Sequence, residues 1–445
     1  MRQIITFLFL SVSMVHGYAQ TLTLQTCIDR AIDRNLEIGN ARIGIAKGKT
    51  GVSQNRARLL PVIQAIGQFT DYLKSPVNVT TGTLLGSDFP DNPTWQTIKS
   101  MPYNAQMGVQ MVLPIYDQTV LASVHVARTV AQISELTYEQ AVEELTVQIG
   151  TVYYRAQAAK AQKALAEANV ARMDELYRIT QALYGQGVVM EVDLNRVRIN
   201  RQMVKVQHEQ YQMLYEQHLH LLRYLLDMAP EAPLEVTDMP SRLIEMPLGA
   251  VSATLPELRL AEQQGELAKK RIRATKAGYL PTLSLTGYAG MLGYQDRFSH
   301  FFHTSAATDN WFGNCFVAVS VRIPIFETNA RKLQIRQYQY DVQQADNRRL
   351  QLQRRLDERH VHARLQLNHQ LEVYRTQSEN YRQAQAVYAV TEEQYKEGVA
   401  SMTTLLQDEM QLRTAQQACV QAHCQYRLAR LDLLKLSGSL DKLSE

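Results

Sequence analysis

The stretch QMVLPIYDQT at positions 110–119 places a proline where a strand-like pattern meets a helix-like one. The stretch SVRIPIFETN at positions 320–329 has the same order: an apolar residue, proline, isoleucine, an aromatic residue, an acid and then small polar residues. Proline has no backbone N–H donor and is tolerated at strand ends and helix starts. Pro114 and Pro324 therefore mark two places where a strand is predicted to lead into a helix.

Other landmarks recur in the same order, which indicates an internal duplication. The triplets that end in Pro61 and Pro281, LLP and YLP, lie 220 residues apart. The segments YGQG at 184–187 and YKEG at 395–398 lie 211 residues apart, close to the 210 that separates Pro114 from Pro324. The change of offset predicts an insertion in one surface loop, where extra length is tolerated.

The duplication predicts how the chain is divided. Each half is expected to contain a helix, a strand, a loop, a strand, a long helix, a glycine tip and a returning helix. The predicted segments are a signal peptide at 1–19, a first structural repeat at 20–229, a proline-rich connector forming an equatorial region at 230–256, a second repeat at 257–436 and a C-terminal tail at 437–445.

The N-terminus is typical of an exported protein. An apolar run follows Arg2, and the small residues Gly17 and Ala19 predict cleavage before Gln20. No later stretch offers about 18 uninterrupted apolar residues, so any contact with a membrane must use strands or surfaces. The chain of 445 residues has a net charge of only +4, which does not favour nucleic acid as a partner.

Four strands show a period of two, and each is about as long as the roughly 9–11 residues of a membrane-spanning strand. The alternating residues fall at 62–72, 108–113, 282–289 and 317–323, within predicted strands of about 10 to 12 residues, and long polar loops lie between the members of each pair. Long outer loops are typical of outer-membrane barrels. Ordinary half-buried strands remain an alternative, because alternation alone does not exclude them.

The helices are longer than a compact domain needs. No proline occurs between Pro114 and Pro230, and 67 helical residues from Gln118 to Tyr184 would extend roughly 100 Å. Apolar residues seven apart predict coiled-coil packing. These stripes are Leu367, Tyr374, Tyr381, Tyr388 and Tyr395 on one helix, and Leu405, Leu412, Cys419, Tyr426 and Leu433 on its partner. A ladder of tyrosines for ligand binding is the less favoured interpretation.

The strand count sets a lower bound on assembly if the strands span a membrane. Four strands cannot enclose a lumen, and two chains would give eight strands, a barrel that side chains just fill. An open pore therefore requires at least three chains.

The sequence resembles the TolC-like outer-membrane efflux channels over nearly the whole mature chain. The resemblance rests on TLTLQTCIDRAIDRNLEI, RARLLPVIQAIGQ, MVLPIYDQ, YGQGVVMEVDL, AGYLPTLSLTGYAG, VRIPIFETN and YKEGVASMTTLLQ, in the order of that family and in two copies. It implies a mixed fold of long α-helical coiled-coil hairpins, which form an α-barrel, and four transmembrane strands per chain that contribute to a twelve-stranded trimeric β-barrel.

The resemblance also implies the partners. A homotrimer in outer-membrane lipid would extend into the periplasm and meet a periplasmic adaptor (membrane fusion) protein. An inner-membrane pump of the RND, ABC or MFS type would lie beyond it, so that the channel is the exit duct of a tripartite efflux or type I secretion system. No cofactor is expected.

The sequence disfavours two other classes of protein. A periplasmic coiled-coil adaptor or scaffold is disfavoured, because adaptors usually carry a single hairpin. A metal site at His218 and His220, or at His360 and His362, is disfavoured because residues two apart on a helix face different ways. No phosphate loop, zinc motif or nucleophile elbow is present, so no enzymatic activity is expected. The cysteines are interpreted as packing residues.

The two tips are candidate docking sites. Glycine can adopt the positive φ that a helix end often needs, and the simpler interpretation is that the glycines only make the turn. Exposed apolar residues at a tip also indicate a partner. The candidate contacts with the adaptor are Gly187, Val188 and Val189 at the first tip and Gly398, Val399 and Ala400 at the second.

A gate is expected near the tips, because the tunnel must close. Relatives often carry a gating aspartate six residues after the second tip glycine, but that position is Thr404 here. Asp193 holds the matching place in the first repeat and is a candidate for an acidic ring. The alternative is a helix-start acid favoured by the macrodipole. The full candidate set is Glu191, Asp193 and Arg196, followed by Asp408 and Glu409.

Overall fold

The computed structural model describes residues 20–81, 95–240, 255–302 and 311–444. The predicted signal peptide at 1–19 lies outside the described residues. So do 82–94 and 303–310 in the two long loops, 241–254 in the predicted connector, and residue 445.

Seven α-helices are present in the described residues, and four of them form the two predicted hairpins. The two longest helices, α3 with 68 residues and α6 with 67, fall in the long stretches of sequence that contain no proline. None of the described helices combines the length and apolar composition needed to cross a membrane. The helices are α1 (Leu24–Arg34), α2 (Leu36–Ala57), α3 (Gln118–Gly185), α4 (Glu191–Leu225), α5 (Pro256–Ala277), α6 (Ala330–Lys396) and α7 (Met402–Leu436).

Eight strands lie in the described residues. Each half contains a helical segment, a long strand, a second long strand, a long helix and a returning helix in that order, and β1, β3, β4 and β6 are additional short strands. The strands are β1 (Gln20–Leu22), β2 (Val62–Asp71), β3 (Val77–Thr81), β4 (Trp95–Lys99), β5 (Tyr103–Tyr116), β6 (Leu234–Val236), β7 (Thr282–Gln295) and β8 (Trp311–Arg322). Short 3-10 helices cover Phe298–Phe302 and Leu440–Ser444.

The chain divides into two compact units, each built from both repeats. The first comprises Met1–Ile45, Ile133–Glu262 and Asp346–Glu445, and the second comprises Ala46–Gln132 and Gln263–Ala345. The helical tips belong to the first unit and the four predicted strands belong to the second.

The second unit contains an antiparallel sheet in the order β2-β5-β7-β8. β5 of the first repeat pairs with β7 of the second, so the two repeats meet in the centre of the sheet. β2 and β8 are the edges. A separate hairpin of β3 and β4 occupies part of the first long loop, where the sequence predicted no strand.

The proline junctions differ in detail. Pro61 and Pro281 stand immediately before β2 and β7. Pro114 lies within β5 beside a bulge, and Asp117 then caps α3 by accepting the backbone N–H of Thr119 at 2.8 Å. Pro324 lies in a seven-residue segment, 323–329, that separates β8 from α6.

The heptad stripes pack as predicted in the first unit. Leu367, Tyr426 and Leu433 belong to one buried cluster, and Tyr388, Leu405 and Leu412 belong to another. Coiled-coil packing therefore accounts for the tyrosine stripe.

The predicted connector and tail contain regular structure that the sequence did not reveal. β6, within 230–256, pairs in parallel with β1. The 3-10 helix near the C-terminus places Leu443 in the main core of the first unit. The segment boundaries themselves stay predictions.

Candidate functional site

The strand register gives the four-stranded sheet one apolar face. Residues directly opposite each other share a face, and the pairs Met111↔Gly287 and Gly287↔Val317 fix its course. No charged residue lies on it between the levels of Leu283 and Met291. Its members include Ile63, Ala65, Phe69, Met107, Val109, Met111, Leu113, Leu283, Leu285, Ala289, Met291, Val317, Val319 and Val321.

This apolar face is exposed in a single protomer. Val317, Val319 and Val321 are 74%, 62% and 61% exposed. A contiguous apolar surface of this kind marks contact with lipid or with another protein.

The opposite face is polar and aromatic. Gln64 stands opposite Gln110, and its Nε2 donates to Gln110 Oε1 across 3.2 Å. The same level continues through Tyr288 to Phe316, whose ring centroids are 5.5 Å apart. Alternation of an apolar and a polar face is the pattern of a strand between lipid and a lumen.

Aromatic residues flank the apolar band at both ends. At the loop end, Phe69 contacts the rings of Phe298 at 5.3 Å and Phe301 at 5.8 Å. At the junction end, Tyr116, Tyr279 and Phe326 are exposed. The β7 stretch between these ends covers about ten residues or about 34 Å, which a tilt near 40° reduces to roughly the 25 Å apolar height of a transmembrane barrel.

Both hairpin tips in the first unit are built by the same backbone device. Gly187 has φ +73° and Gly398 has φ +76°, in the left-handed region. The N–H of Gly187 donates to the carbonyl of Tyr184 at 3.0 Å, and the N–H of Val188 donates to Leu183 at 3.0 Å. This pair of bonds is a Schellman motif, in which glycine ends the helix.

The second tip repeats the motif. The N–H of Gly398 donates to Tyr395 at 3.1 Å, and the N–H of Val399 donates to Gln394 at 2.8 Å. Val188 and Val399 thus occupy equivalent positions, and both are exposed, by 68% and 74%. The predicted positive φ of the tip glycines is present in each repeat.

The candidate gate residues of the first repeat lie in the first turns of α4. Asp193 Oδ1 is 2.9 Å from Arg196 Nη1, and the Asp193 side chain is 26% exposed. The same Nη1 also donates to Thr403 Oγ1 at 3.2 Å, on the first turn of α7. Glu191, the first residue of α4, is exposed. Arg196 therefore connects the two hairpins beside their tips.

The structure places the two other acids differently. Asp408 is half-buried and its Oδ2 accepts a hydrogen bond from Thr391 Oγ1 at 2.6 Å. Glu409 is 1% exposed and accepts from Arg413 Nε at 2.9 Å. Burial raises the pKa of the Glu409 carboxyl, and the charges of Arg413 and Arg172 oppose that shift. Because Glu409 lies among helices within one protomer, it does not lie on a surface that could line a lumen.

Glu409 belongs to a buried polar layer that sequence reasoning missed. Asn169 Nδ2 on α3 donates to Gln416 Oε1 on α7 at 3.0 Å, and both side chains are buried. The Arg172 guanidinium lies 5.1 Å from the centre of the Tyr388 ring. This layer could have been predicted from polar residues at heptad-like positions, because they interrupt otherwise apolar stripes.

A second stripe on α4 was also missed. One apolar stripe of α4, with a spacing of seven, includes Val197 and Val204, which are fully buried. Another set recurs with the same spacing of seven but is exposed within the protomer, by 43% to 61%. These residues are Val192, Ile199, Val206 and Met213. The α4 helix thus carries two apolar stripes, and within the protomer only the stripe of Val197 and Val204 is buried.

The histidine pairs face apart, as expected for residues two apart on a helix. His360 is buried and His362 is exposed. Among the described residues, no group of three or more histidine, cysteine, aspartate or glutamate side chains could hold a metal ion. The packing interpretation fits Cys27 and Cys424, which are buried, but not Cys315, which is exposed on β8.

A sheet with one lipid-like face between aromatic girdles, in a chain with two hairpins of very long helices, defines an outer-membrane channel protein of the tunnel-forming class. The family model for outer membrane efflux proteins matches residues 27–226 and 250–439, well over half of the chain. The chain belongs to the outer membrane efflux protein family.

Two similar curated proteins are from Pseudomonas putida. The chain is 25% identical over 429 residues to the probable efflux pump outer membrane protein TtgC, covering 93% of this chain and 82% of TtgC. The antibiotic efflux pump outer membrane protein ArpC matches with the same identity and coverage.

Solved structures share the fold. The outer-membrane channel OprN superposes with a TM-score of 0.73 at 17% identity, covering 94% of this chain and 90% of OprN. The open state of the MtrE channel from Neisseria gonorrhoeae gives 0.71 at 20% identity, covering 95% and 90%.

The predicted fold class, the outer-membrane location and the role as an efflux channel component are thereby confirmed. The family consists of channels rather than enzymes, in agreement with the sequence. The adaptor or scaffold alternative is not favoured.

Proposed function

We propose that three copies of this chain assemble into a homotrimer whose strands complete a twelve-stranded barrel in outer-membrane lipid. The observation that carries this proposal is the sheet itself, which has an uncovered apolar face and two open edges, β2 and β8. An open edge presents unpaired backbone groups, which cannot remain unpaired in a bilayer. Pairing of β8 in one copy with β2 in the next removes both edges.

The exposed second stripe on α4 supports the same assembly. Val192, Ile199 and Met213 are exposed although a spacing of seven is the signature of a packed coiled coil. A helix from a second copy would cover this stripe. The helical hairpins of three copies would then form the wall of a tunnel.

The tips are the proposed docking sites for a periplasmic adaptor, and the adaptor in turn would connect the channel to an inner-membrane pump of the RND, ABC or MFS type. The support is the matched geometry of Val188 and Val399, each held outward by a Schellman turn. Val189 and Ala400 stand beside them, and equivalent apolar tips in both repeats would give six similar contacts in a trimer.

The gate is proposed at the start of α4, where Asp193 would form a ring of three carboxylates by symmetry. Its partial exposure and its pairing with Arg196 support this proposal. The helix-start role of Asp193 is compatible with the same position, since the acid also lies in the first turn of α4. Asp408 remains the next candidate.

Labelling of β8 tests the membrane assignment. Single cysteines at Ala318 and Ser320, on the polar face, should react in outer membranes with a water-soluble thiol reagent. Cysteines at Val317 and Val319, on the apolar face, should be protected by lipid and should react only after the protein is denatured. Equal reactivity of all four positions would show that β8 does not span the membrane.

A further inference from the structure

The polar face of the sheet has one charged residue, and it lies at the junction end. The register places the even-numbered residues of β2, β5, β7 and β8 on this face. Among the paired residues of these four strands, the face is otherwise made of glutamine, asparagine, serine, threonine, glycine, alanine, proline, aromatic and aliphatic side chains. Arg322, the last residue of β8, stands opposite Thr282 at the level where the strands meet the helices.

Arg322 has no acidic partner in the part of the chain that the structure describes. The residue is exposed. The two acids nearest to this end in the sequence are engaged elsewhere, because Asp117 caps α3 and Glu327 Oε2 lies 2.6 Å from Arg331 Nη1. The Arg322 guanidinium is therefore an uncompensated positive charge.

A second copy would not neutralise it through strand pairing. The edge strand that another protomer offers is β2, and the polar face of β2 carries Val62, Gln64, Ile66, Gln68 and Thr70. None of these side chains is acidic.

The helices of the same unit add charge of the same sign. A groove of about 660 Å³ between α5 and α6 is lined by Arg273, Lys276 and Arg336, and by Lys269, which pairs with Glu266 at 3.0 Å; no acidic residue lines the groove itself. Lys276 lies only six residues before the start of β7. The junction end of the second unit is thus basic.

We infer that three copies of Arg322 form a ring of positive charge at the periplasmic mouth of the barrel lumen, where it concentrates anionic solutes and the anionic groups of amphiphiles. This inference rests on the proposed trimer, in which the polar face lines the lumen. Rings of arginine or lysine favour anions in pores, as carboxylate rings favour cations. The uncharged lumen above the ring leaves Arg322 as the residue that sets the preference inside the barrel.

Charged thiol reagents test this from the extracellular side, where a closed tip does not interfere. In a Cys315→Ser background, Ser320→Cys places a thiol about 7 Å along the strand from Arg322, and Asn314→Cys places one about 27 Å away. Each thiol is reacted with two thiosulfonates, one that bears an anionic sulfonate and one that bears a cationic trimethylammonium group. The readout is the rate with the anionic reagent divided by the rate with the cationic reagent. A protein without an added cysteine corrects for Cys419.

The ratio at Ser320→Cys should fall about threefold or more when Arg322→Gln is added, since focused charge changes local ion concentration by roughly tenfold or more. Arg322→Lys should preserve the ratio. The ratio at Asn314→Cys should not change, because the separation exceeds the Debye length of about 10 Å at 0.1 M salt, and the effect at Ser320→Cys should shrink at 1 M.

Two results would overturn the inference. If Ser320→Cys reacts but its ratio is the same with and without Arg322→Gln, the ring does not exist although the barrel does. If Ser320→Cys reacts with neither reagent in a protein that is trimeric by native mass spectrometry, the polar face does not line the lumen. Absence of a trimer in that measurement would instead contradict the proposed assembly.

Discussion

Arg196 Nη1 lies 2.9 Å from Asp193 Oδ1 and donates to Thr403 Oγ1 across 3.2 Å. A single guanidinium therefore ties the first turn of α4 in one hairpin to the first turn of α7 in the other. If the tunnel opens by separating the hairpins near their tips, this link must break.

Removal of the link should make the closed channel leak. Arg196→Ala removes both the ion pair and the bond to Thr403, whereas Thr403→Val removes only the bond between hairpins. We expect a larger uptake of a bulky hydrophilic antibiotic through the outer membrane for Arg196→Ala than for Thr403→Val, and some increase for both. Uptake equal to that of the unmodified protein in Arg196→Ala would show that closure does not depend on this link.

Asp193→Ala should reduce cation selectivity in planar bilayers and weaken block by multivalent cations, because the ring of three carboxylates is lost. Asp408→Asn is the matched control, since Asp408 accepts a hydrogen bond from Thr391 and an amide oxygen can do the same. If selectivity and block change in Asp408→Asn but not in Asp193→Ala, the ring lies at the second tip.

The paired change Val188→Asp and Val399→Asp should abolish efflux while the trimer stays intact. Both valines are exposed, so the folded protomer loses little packing, but an apolar docking surface would gain six charges in a trimer. Gln186→Asp is the control, because it adds a carboxylate at the first tip and leaves both valines. Normal antibiotic efflux in the double variant would remove the docking proposal.

Gly187→Ala and Gly398→Ala should each cost about 1 kcal/mol of stability per site, since both glycines have a positive φ that L-residues resist. Nothing lies within 4 Å of the position that either new Cβ would take, so the cost is backbone strain alone. Gly185→Ala is the control. It ends α3 without a positive φ and should stabilise the helix by about 0.5 kcal/mol. Thermal unfolding of the three variants measures this, and equal melting temperatures would contradict the strain argument.

Acid should destabilise the packing around His423. Burial lowers the pKa of this imidazole to about 4, assisted by the charge of Arg427, and its ring lies 4.9 Å from that of Tyr374. Because the folded pKa is below the ordinary 6.5, the stability from the neutral ring is complete above pH 6.5 and is lost as the pH falls toward about 4.

The His423→Gln variant checks that pH dependence. Between pH 6.5 and 4, the unmodified protein should lose up to about 3 kcal/mol per protomer more than the variant does. The measurement is the melting temperature of both proteins as a function of pH. Parallel curves over this range would show that His423 does not titrate as its burial predicts.

Much of the fold could be read from the sequence because local patterns and the duplication agree. The period of two marked the four strands, and the spacing of seven marked the stripe that packs around Leu405 and Leu412. Gly187 and Gly398 predicted the positions of the two tips, because a positive φ at a helix end favours glycine.

Other features depend on contacts that no local pattern records. The pairing of β1 with β6 joins segments more than 200 residues apart. Glu409 and Asp408 are neighbours in the sequence, yet only the packing of α7 decides that Glu409 is buried. The position of Arg322 on the polar face likewise depends on the strand register, because a shift of one residue would move it to the apolar face.

The proposed function requires three copies of the chain. Native mass spectrometry of the protein, extracted from outer membranes into a detergent that keeps other barrel oligomers intact, measures the number of chains in the assembly. We predict a species with the mass of three mature chains. A spectrum that contains only single chains, or only pairs, would contradict the proposed trimer.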